Sequence, residues 1–260
     1  MPNNSISDLI LSIKNISLWW QLAFMEILQR YRRSILGPFW ITISNAIFIC
    51  ALSIISHNLS KEELYQIITH ISYGFITWIF ISTTINESCD SLVRASGYIK
   101  NIIMPISSHI FVTLFKNIII FFHNCIIIII IFIFFGNINN NIIYFIPGFL
   151  ILTIILFFIA LAVSIVCARF RDLTPIIISI NQILFFITPV WWSEKLLMDK
   201  ELMLSNFNPF NHFISLVREP LLGNQINILT LIFIFLLLLV LIPFSLYIFS
   251  KTYKKIAFWI

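Results

Sequence analysis

HIFVTLFKNIIIFFHNCIIIIIIFIFF, residues 109–135, decides the class of this chain. Its one formal charge is Lys116. A helix needs about 20 apolar residues to cross a bilayer, and this run exceeds that. Its length, with Lys116, His123 and Asn124 inside it, leaves open whether it tilts or breaks. Five further runs qualify by length and apolarity: Leu36–Ser56, Ile67–Asn86, Ile142–Val166, Ile176–Trp192 and Ile226–Phe249. The second is the least apolar, because it contains His70, Thr77, Thr83 and Thr84. Of the 260 residues, 60% are hydrophobic and 10% charged, where a soluble domain carries about 25% charged. Such a chain needs lipid as part of its solvent. The expectation is an all-α integral membrane protein with six transmembrane helices and no large soluble domain.

The basic residues set the orientation. With both termini cytoplasmic, inside segments hold Lys14, Arg30, Arg32, Arg33, Arg94, Lys100, Arg169, Arg171, Lys251, Lys254 and Lys255. Outside segments hold Lys61, Lys195, Lys200 and Arg218, a bias of eleven to four with Lys116 in a span. The opposite orientation reverses that bias. The net charge of +5 is spread over membrane flanks rather than gathered in a stripe, which argues against nucleic acid. Cys50, Cys89, Cys125 and Cys167 lie too far apart in sequence for metal or redox spacing.

Ahead of the first span, residues 1–34 read as an N-terminal amphipathic helix in the membrane interface. Ile6, Leu9, Ile10, Ile13, Trp20, Phe24, Ile27, Leu28 and Tyr31 recur at helical spacing, with Trp19 and Trp20 as anchors. No compact apolar core follows a basic start, so this is not a signal peptide. Residues 35–260 form the transmembrane unit. Within it the cytoplasmic loop 87–108 has the length for a short helix parallel to the membrane. The extracytoplasmic segment 193–225 alternates apolar groups with Pro209, Pro220 and Gly223. Neither half of it is long enough to span. It is expected to form a re-entrant helical pair, with a folded-back surface hairpin as the alternative.

The chemistry of energy conversion is missing. The six glycines are isolated, so no phosphate-binding loop exists. No HExxH, zinc cluster or nucleophile elbow occurs, and the carboxylates lie almost entirely in loops, which argues against a proton relay. The power for any pumping belongs to a partner.

Three blocks carry a resemblance: Arg30-Tyr-Arg-Arg-Ser-Ile-Leu-Gly-Pro-Phe-Trp40 at the first span; Arg169-Phe-Arg-Asp-Leu-Thr174, with its span ending Thr188-Pro-Val-Trp191; and Asn208-Pro-Phe-Asn-His212 followed by Val217-Arg-Glu-Pro-Leu-Leu-Gly223. In order and placement they resemble the ABC-2 permease family, in its polysaccharide-export branch of O-antigen, capsule and teichoic acid permeases. From the residues alone, Arg30, Arg32 and Arg33 either pair lipid phosphates bidentately or only obey the positive-inside bias. Arg169, Arg171 and Asp172 read as a local ion-pair cap.

The resemblance implies a homodimer with two copies of a nucleotide-binding ATPase subunit, in the bacterial inner membrane. This chain would carry no cofactor and no catalytic residue; ATP and Mg would sit in the partner. The substrate would be a polysaccharide linked to a polyprenyl diphosphate lipid, its diphosphate met by Arg30, Arg32 and Arg33. The loop 87–108 would dock in the ATPase, with Glu87, Asp90, Arg94 and Lys100 as contacts. Aromatic faces stack on sugars, so Trp78, Trp191 and Trp192 are candidate channel-lining residues, although interfacial belts also enrich Trp. Lys116 and His123 share one helical face and join them, because ionisable groups in a membrane are functional candidates. The rival readings are an ABC-2 permease for a small hydrophobic compound and an integral-membrane transferase using His212.

Overall fold

The least apolar of the expected spans forms the most enclosed helix. In the computed structural model, which describes residues 4–30, 32, 37, 39–60, 63–101, 104–135, 140–192 and 206–260, that helix runs over Leu64–Arg94. Its hydroxyls are satisfied within the helix: Thr77 donates to the Tyr73 carbonyl (2.7 Å), Thr84 to Phe80 (2.6 Å) and Ser88 to Thr84 (2.6 Å). Back-bonding of this kind removes the penalty of an unpaired hydroxyl away from water. The helix can therefore be polar in composition yet 61% buried over its most apolar window, against 17% for the last span.

In chain order the described elements are α1 (Ser5–Lys14), α2 (Ile16–Arg30), α3 (Phe39–Ser60), α4 (Leu64–Arg94), α5 (Ser96–Asn101), α6 (Ser108–Phe135), α7 (Phe145–Arg169), α8 (Leu173–Ile187), α9 (Pro209–Leu221) and α10 (Ile228–Trp259). A 3₁₀ turn, Asn140–Tyr144, leads into α7. No strand occurs among the described residues. α4 is the hub, packed by α3, α6, α7, α8 and α9, while α7 carries α10 on its other side. Phe80, Phe121 and Phe149 meet at the α4–α6–α7 junction with centroids 4.7 to 5.4 Å apart.

Among the described residues, five helices are long and apolar enough to cross a membrane: Phe39–Leu59, Leu64–Lys100, Ser108–Phe134, Asn140–Arg169 and Ile228–Trp259. The protein is a multi-pass helical membrane protein. The expected fifth span, Ile176–Trp192, appears as the 15-residue α8, about 22 Å long at 1.5 Å per residue. That is short of a hydrocarbon core of about 30 Å. The Thr188–Pro189 step ends it, since the residue before a proline is driven out of helical geometry.

Other boundaries moved as well. α6 is continuous, so Lys116, His123 and Asn124 do not break it. The N-terminal stretch is two helices interrupted at Asn15. The expected loop 87–108 begins inside α4, whose last turns hold Glu87, Asp90 and Arg94; α5 then carries Lys100. Of the segment 193–225, residues 193–205 lie outside the described residues, and the remainder contains α9. Asn208 caps α9 by accepting from Phe210 N–H (3.0 Å), and Pro209 occupies its first turn, where no N–H is needed.

α1 and the end of α10 lie together, since Tyr253 donates to Asp8 Oδ2 (3.1 Å). That end of the bundle is the proximal end below. The end holding α9 and the 3₁₀ turn is the distal end.

Candidate functional site

At the proximal end, four charges converge from helices remote in sequence. Lys116 of α6 is 4% exposed at its side chain and lies 2.8 Å from Glu26 of α2 and 3.0 Å from Glu87 of α4. Arg30 Nη2 lies 2.7 Å from the other Glu87 oxygen. Asn117 adds a bond to Glu87 Oε2 (3.1 Å). An ammonium buried to this degree is tolerable only between opposite charges. α2 is thus bolted to α4 and α6 through the cluster. The aromatic pair beside it is also committed: Trp19 stacks on Phe111 (5.4 Å) and Trp20 lies 4.4 Å from Phe115. The expected membrane anchors therefore pack on α6, although Trp20 keeps an exposed edge.

α1 is held by a second device. Asp8 is fully buried, and its carboxylate accepts from the Ile106 and Ser107 backbone N–H groups (2.8 and 3.0 Å) and from the Ser107 hydroxyl (2.5 Å). These donors precede α6, so a residue 98 positions earlier in the chain caps that helix. Ser12 supports it through Ser107 and Ser108 (2.7 and 2.9 Å). Neither Asp8 nor Glu26 was singled out from the sequence. For Asp8 the available signal was the polar stripe Ser5, Asp8 and Ser12 at helical spacing, which is the face that α1 buries.

The structure divides the expected site residues. Arg30 belongs to the charge cluster, Arg32 is exposed, and Arg33 lies outside the described residues. Glu87 faces the bundle, its side chain 15% exposed, and is engaged by Lys116 and Arg30. Its expected position in a docking loop is corrected, because the charges on α2 and α6 hold it inward. Asp90 is exposed and accepts from Thr174 of α8 (3.4 Å); Arg94 is exposed and donates to the Glu87 carbonyl (2.7 Å); Lys100 donates to the Ile260 carbonyl.

Among the channel candidates, Lys116 and Trp78 are covered within the protomer, at 3% and 5% exposure. His123 is half-buried, with Nδ1 2.7 Å from the Thr42 hydroxyl of α3 and its ring against Phe39. Trp191 and Trp192 are half-buried beyond α8, and Trp192 donates to the Phe186 carbonyl (3.1 Å). Arg169 stacks over Phe170 and Trp259 (5.1 and 5.2 Å), and no ion pair to Asp172 occurs among the described residues.

At the distal end the second and third sequence blocks meet. Asn208 donates to the Thr188 hydroxyl (2.9 Å), and Arg218, 3% exposed, donates to the Pro189 carbonyl (2.6 Å) and pairs with Glu219 (3.2 Å). α9 thus closes on the end of α8. The packing beneath is tight. A Cβ on Gly148 of α7 would stand 2.0 Å from the Leu216 carbonyl oxygen, and one on Gly74 of α4 would stand 3.1 Å from that of Val190.

Phe210, at the start of α9, meets Trp78 at 5.7 Å, about 21 Å along α4 from Leu64. Arg218, near the end of α9, meets His70 (3.3 Å). α9 therefore rises along α4 toward its distal start. His212 is 5% exposed, with Nε2 2.7 Å from the Asn206 carbonyl and Nδ1 3.0 Å from the Thr230 hydroxyl. With both ring nitrogens occupied and the ring stacked on Phe233 at 4.3 Å, His212 is a packing residue and offers a transferase no catalytic base.

Comparison with curated proteins gives no match. A family model does match, over residues 17–222, and its description is ABC-2 type transporter. That range runs from α2 through α9 and takes in the first two sequence blocks and the third as far as Leu222. Members of this family are the membrane subunits of transporters, working with an ATPase subunit. The chain belongs to the ABC-2 type transporter family.

Proposed function

We propose that this permease subunit exports a polysaccharide attached to a polyprenyl diphosphate lipid, across a bacterial inner membrane, as a homodimer with two ATPase subunits. The observation that carries the reading is the distal arrangement of α8 and α9. Two helices too short to cross are joined at Thr188–Asn208 and sealed by Arg218 on Pro189. In the proposal α8 is the sixth, incomplete crossing. With α9 it frames a re-entrant gate over the dimer axis, where Trp191, Trp192 and His123 supply candidate channel-lining groups. The proximal end faces the cytoplasm, with both termini there. Asp90, Arg94 and Lys100 present the surface that docks in the ATPase. Residues 1–34 form the interface element and residues 35–260 the transmembrane unit.

Arg30, Arg32 and Arg33 receive the diphosphate at the cytoplasmic boundary. A charged head group is costly at bilayer depth, and a planar guanidinium engages two phosphate oxygens at once where an ammonium engages one. The test compares surface polysaccharide in cells lacking the chain, cells carrying it, and cells carrying Arg30→Lys, Arg32→Lys and Arg33→Lys together, at matched membrane levels. Loss without the chain, full recovery with it and recovery of about a tenth with the triple variant is the expected result. Surface polysaccharide retained without the chain would reject the function. Full recovery with the triple variant would leave these arginines as topology determinants.

A further inference from the structure

Between α2, the α4–α5 corner and α6 lies a cavity of about 90 Å³. Each wall is one helical face. Met25 and Glu26 come from α2, Arg94 and Tyr98 from α4 and α5, and His109 and Thr113 from α6. His109 is 6% exposed, and its Nε2 is buried with no hydrogen-bond partner among the described residues. Leaving a buried imidazole nitrogen unpaired is costly, so it marks a position that a ligand completes.

The rim carries one charge of each sign on opposing helices. Arg94 is exposed and uses Nη2 on the Glu87 carbonyl (2.7 Å). The Glu26 side chain is 48% exposed and uses Oε2 on Lys116 (2.8 Å). An anion alone would meet the Glu26 carboxylate, and a cation alone would meet Arg94. The arrangement suits a group holding a phosphate and an ammonium a short arm apart. Met25 beside the cavity is exposed, and Trp20 of the same helix keeps an exposed edge, a residue type enriched where lipid glycerol and head groups lie.

We propose that this cavity binds the head group of an aminophospholipid of the phosphatidylethanolamine type. The phosphate sits on Arg94 and His109, and the ammonium donates to Glu26. The bound lipid stitches α2 to the α4–α5 corner, adding a contact to the one already made by Lys116. This site shares Arg94 with the proposed ATPase-docking surface, is separate from the diphosphate-receiving arginines and does not depend on the proposed substrate.

The test uses the full chain, stripped of lipid in detergent. It is titrated with dihexanoyl phosphatidylethanolamine, phosphatidylglycerol and phosphatidylcholine and with free phosphoethanolamine, with stoichiometry read by native mass spectrometry. One phosphatidylethanolamine per chain is expected, bound at least about tenfold more tightly than the other three. Arg94→Gln should weaken it about tenfold. Glu26→Gln should bring phosphatidylglycerol up to equal affinity, and this gain shows that the variant is folded. Equal binding of phosphatidylglycerol by the wild type, or no change in either variant, would overturn the proposal. Equal binding of free phosphoethanolamine would assign the site to a soluble phosphate ester. Stoichiometric displacement by a polyprenyl diphosphate would assign it to the transported lipid. Either of these also overturns it.

Discussion

The two ends of the bundle are held by different physics. At the proximal end, Asp8, Glu26, Glu87, Lys116 and Arg30 join α1, α2, α4 and α6 through charge-assisted bonds. At the distal end, amides, hydroxyls and carbonyls join α8, α9 and α10, with Arg218 as the buried cation. There the backbones also touch, at Gly148 against Leu216. Charge acts over several ångströms and survives small shifts, whereas close backbone packing has no slack. The difference assigns adjustable joints to the proximal end, where side-chain charges hold α1 and α2 on the bundle. It assigns a rigid seat to the end where short helices must satisfy their backbone inside the bundle.

The largest effect should follow from disturbing the seat. Gly148→Ala places a methyl 2.0 Å from the Leu216 carbonyl oxygen, which α9 can relieve only by moving off α7. A loss of at least about 3 kcal/mol is expected, read as thermal unfolding of the purified chain. Gly97→Ala, at the proximal end, has nothing within 4 Å of the new Cβ and should stay within about 1 kcal/mol of wild type. Equal losses at the two sites would dissolve the contrast.

Smaller effects should separate the two bonding styles. A double-mutant cycle on Glu87→Gln and Lys116→Met should give a coupling of about 1–3 kcal/mol. The same cycle on Thr188→Val and Asn208→Ala, a neutral pair 2.9 Å apart, should give about 0.5–1 kcal/mol. A proximal coupling no larger than the distal one would mean that the ion pair is screened to the strength of a neutral hydrogen bond, and would remove the contrast.

Much of this was legible in the sequence, for reasons that the same contrast explains. Hydrophobic runs report burial in lipid, so the five long helices stood where apolar stretches placed them, with α4 and α10 extending further than expected. α8 was overestimated because Trp191 and Trp192 continue its apolar character past the proline that ends it. Glu87 was assigned to a loop because an acid after an apolar run normally marks the membrane edge. Here Lys116, itself inside a span, draws it inward. The polar stripe holding Asp8 was visible, but its capping role was not, since its partners lie 98 and 99 positions away and no local period connects them. Lys116 and His123 were found by their shared face. Their partners, Glu26 on one helix and Thr42 on another, needed the fold.

The central claim is that this subunit moves a lipid-linked glycan using ATP hydrolysed by a partner. The direct measurement places the chain and its ATPase in proteoliposomes. A polyprenyl-diphosphate-linked glycan is loaded in the ATPase-facing leaflet, and ATP-dependent appearance of the glycan on the other side is followed. The expected result is transport that requires both subunits and ATP, with no hydrolysis by this chain alone. A complex that leaves the lipid-linked glycan in place while pumping a small hydrophobic compound would contradict the account.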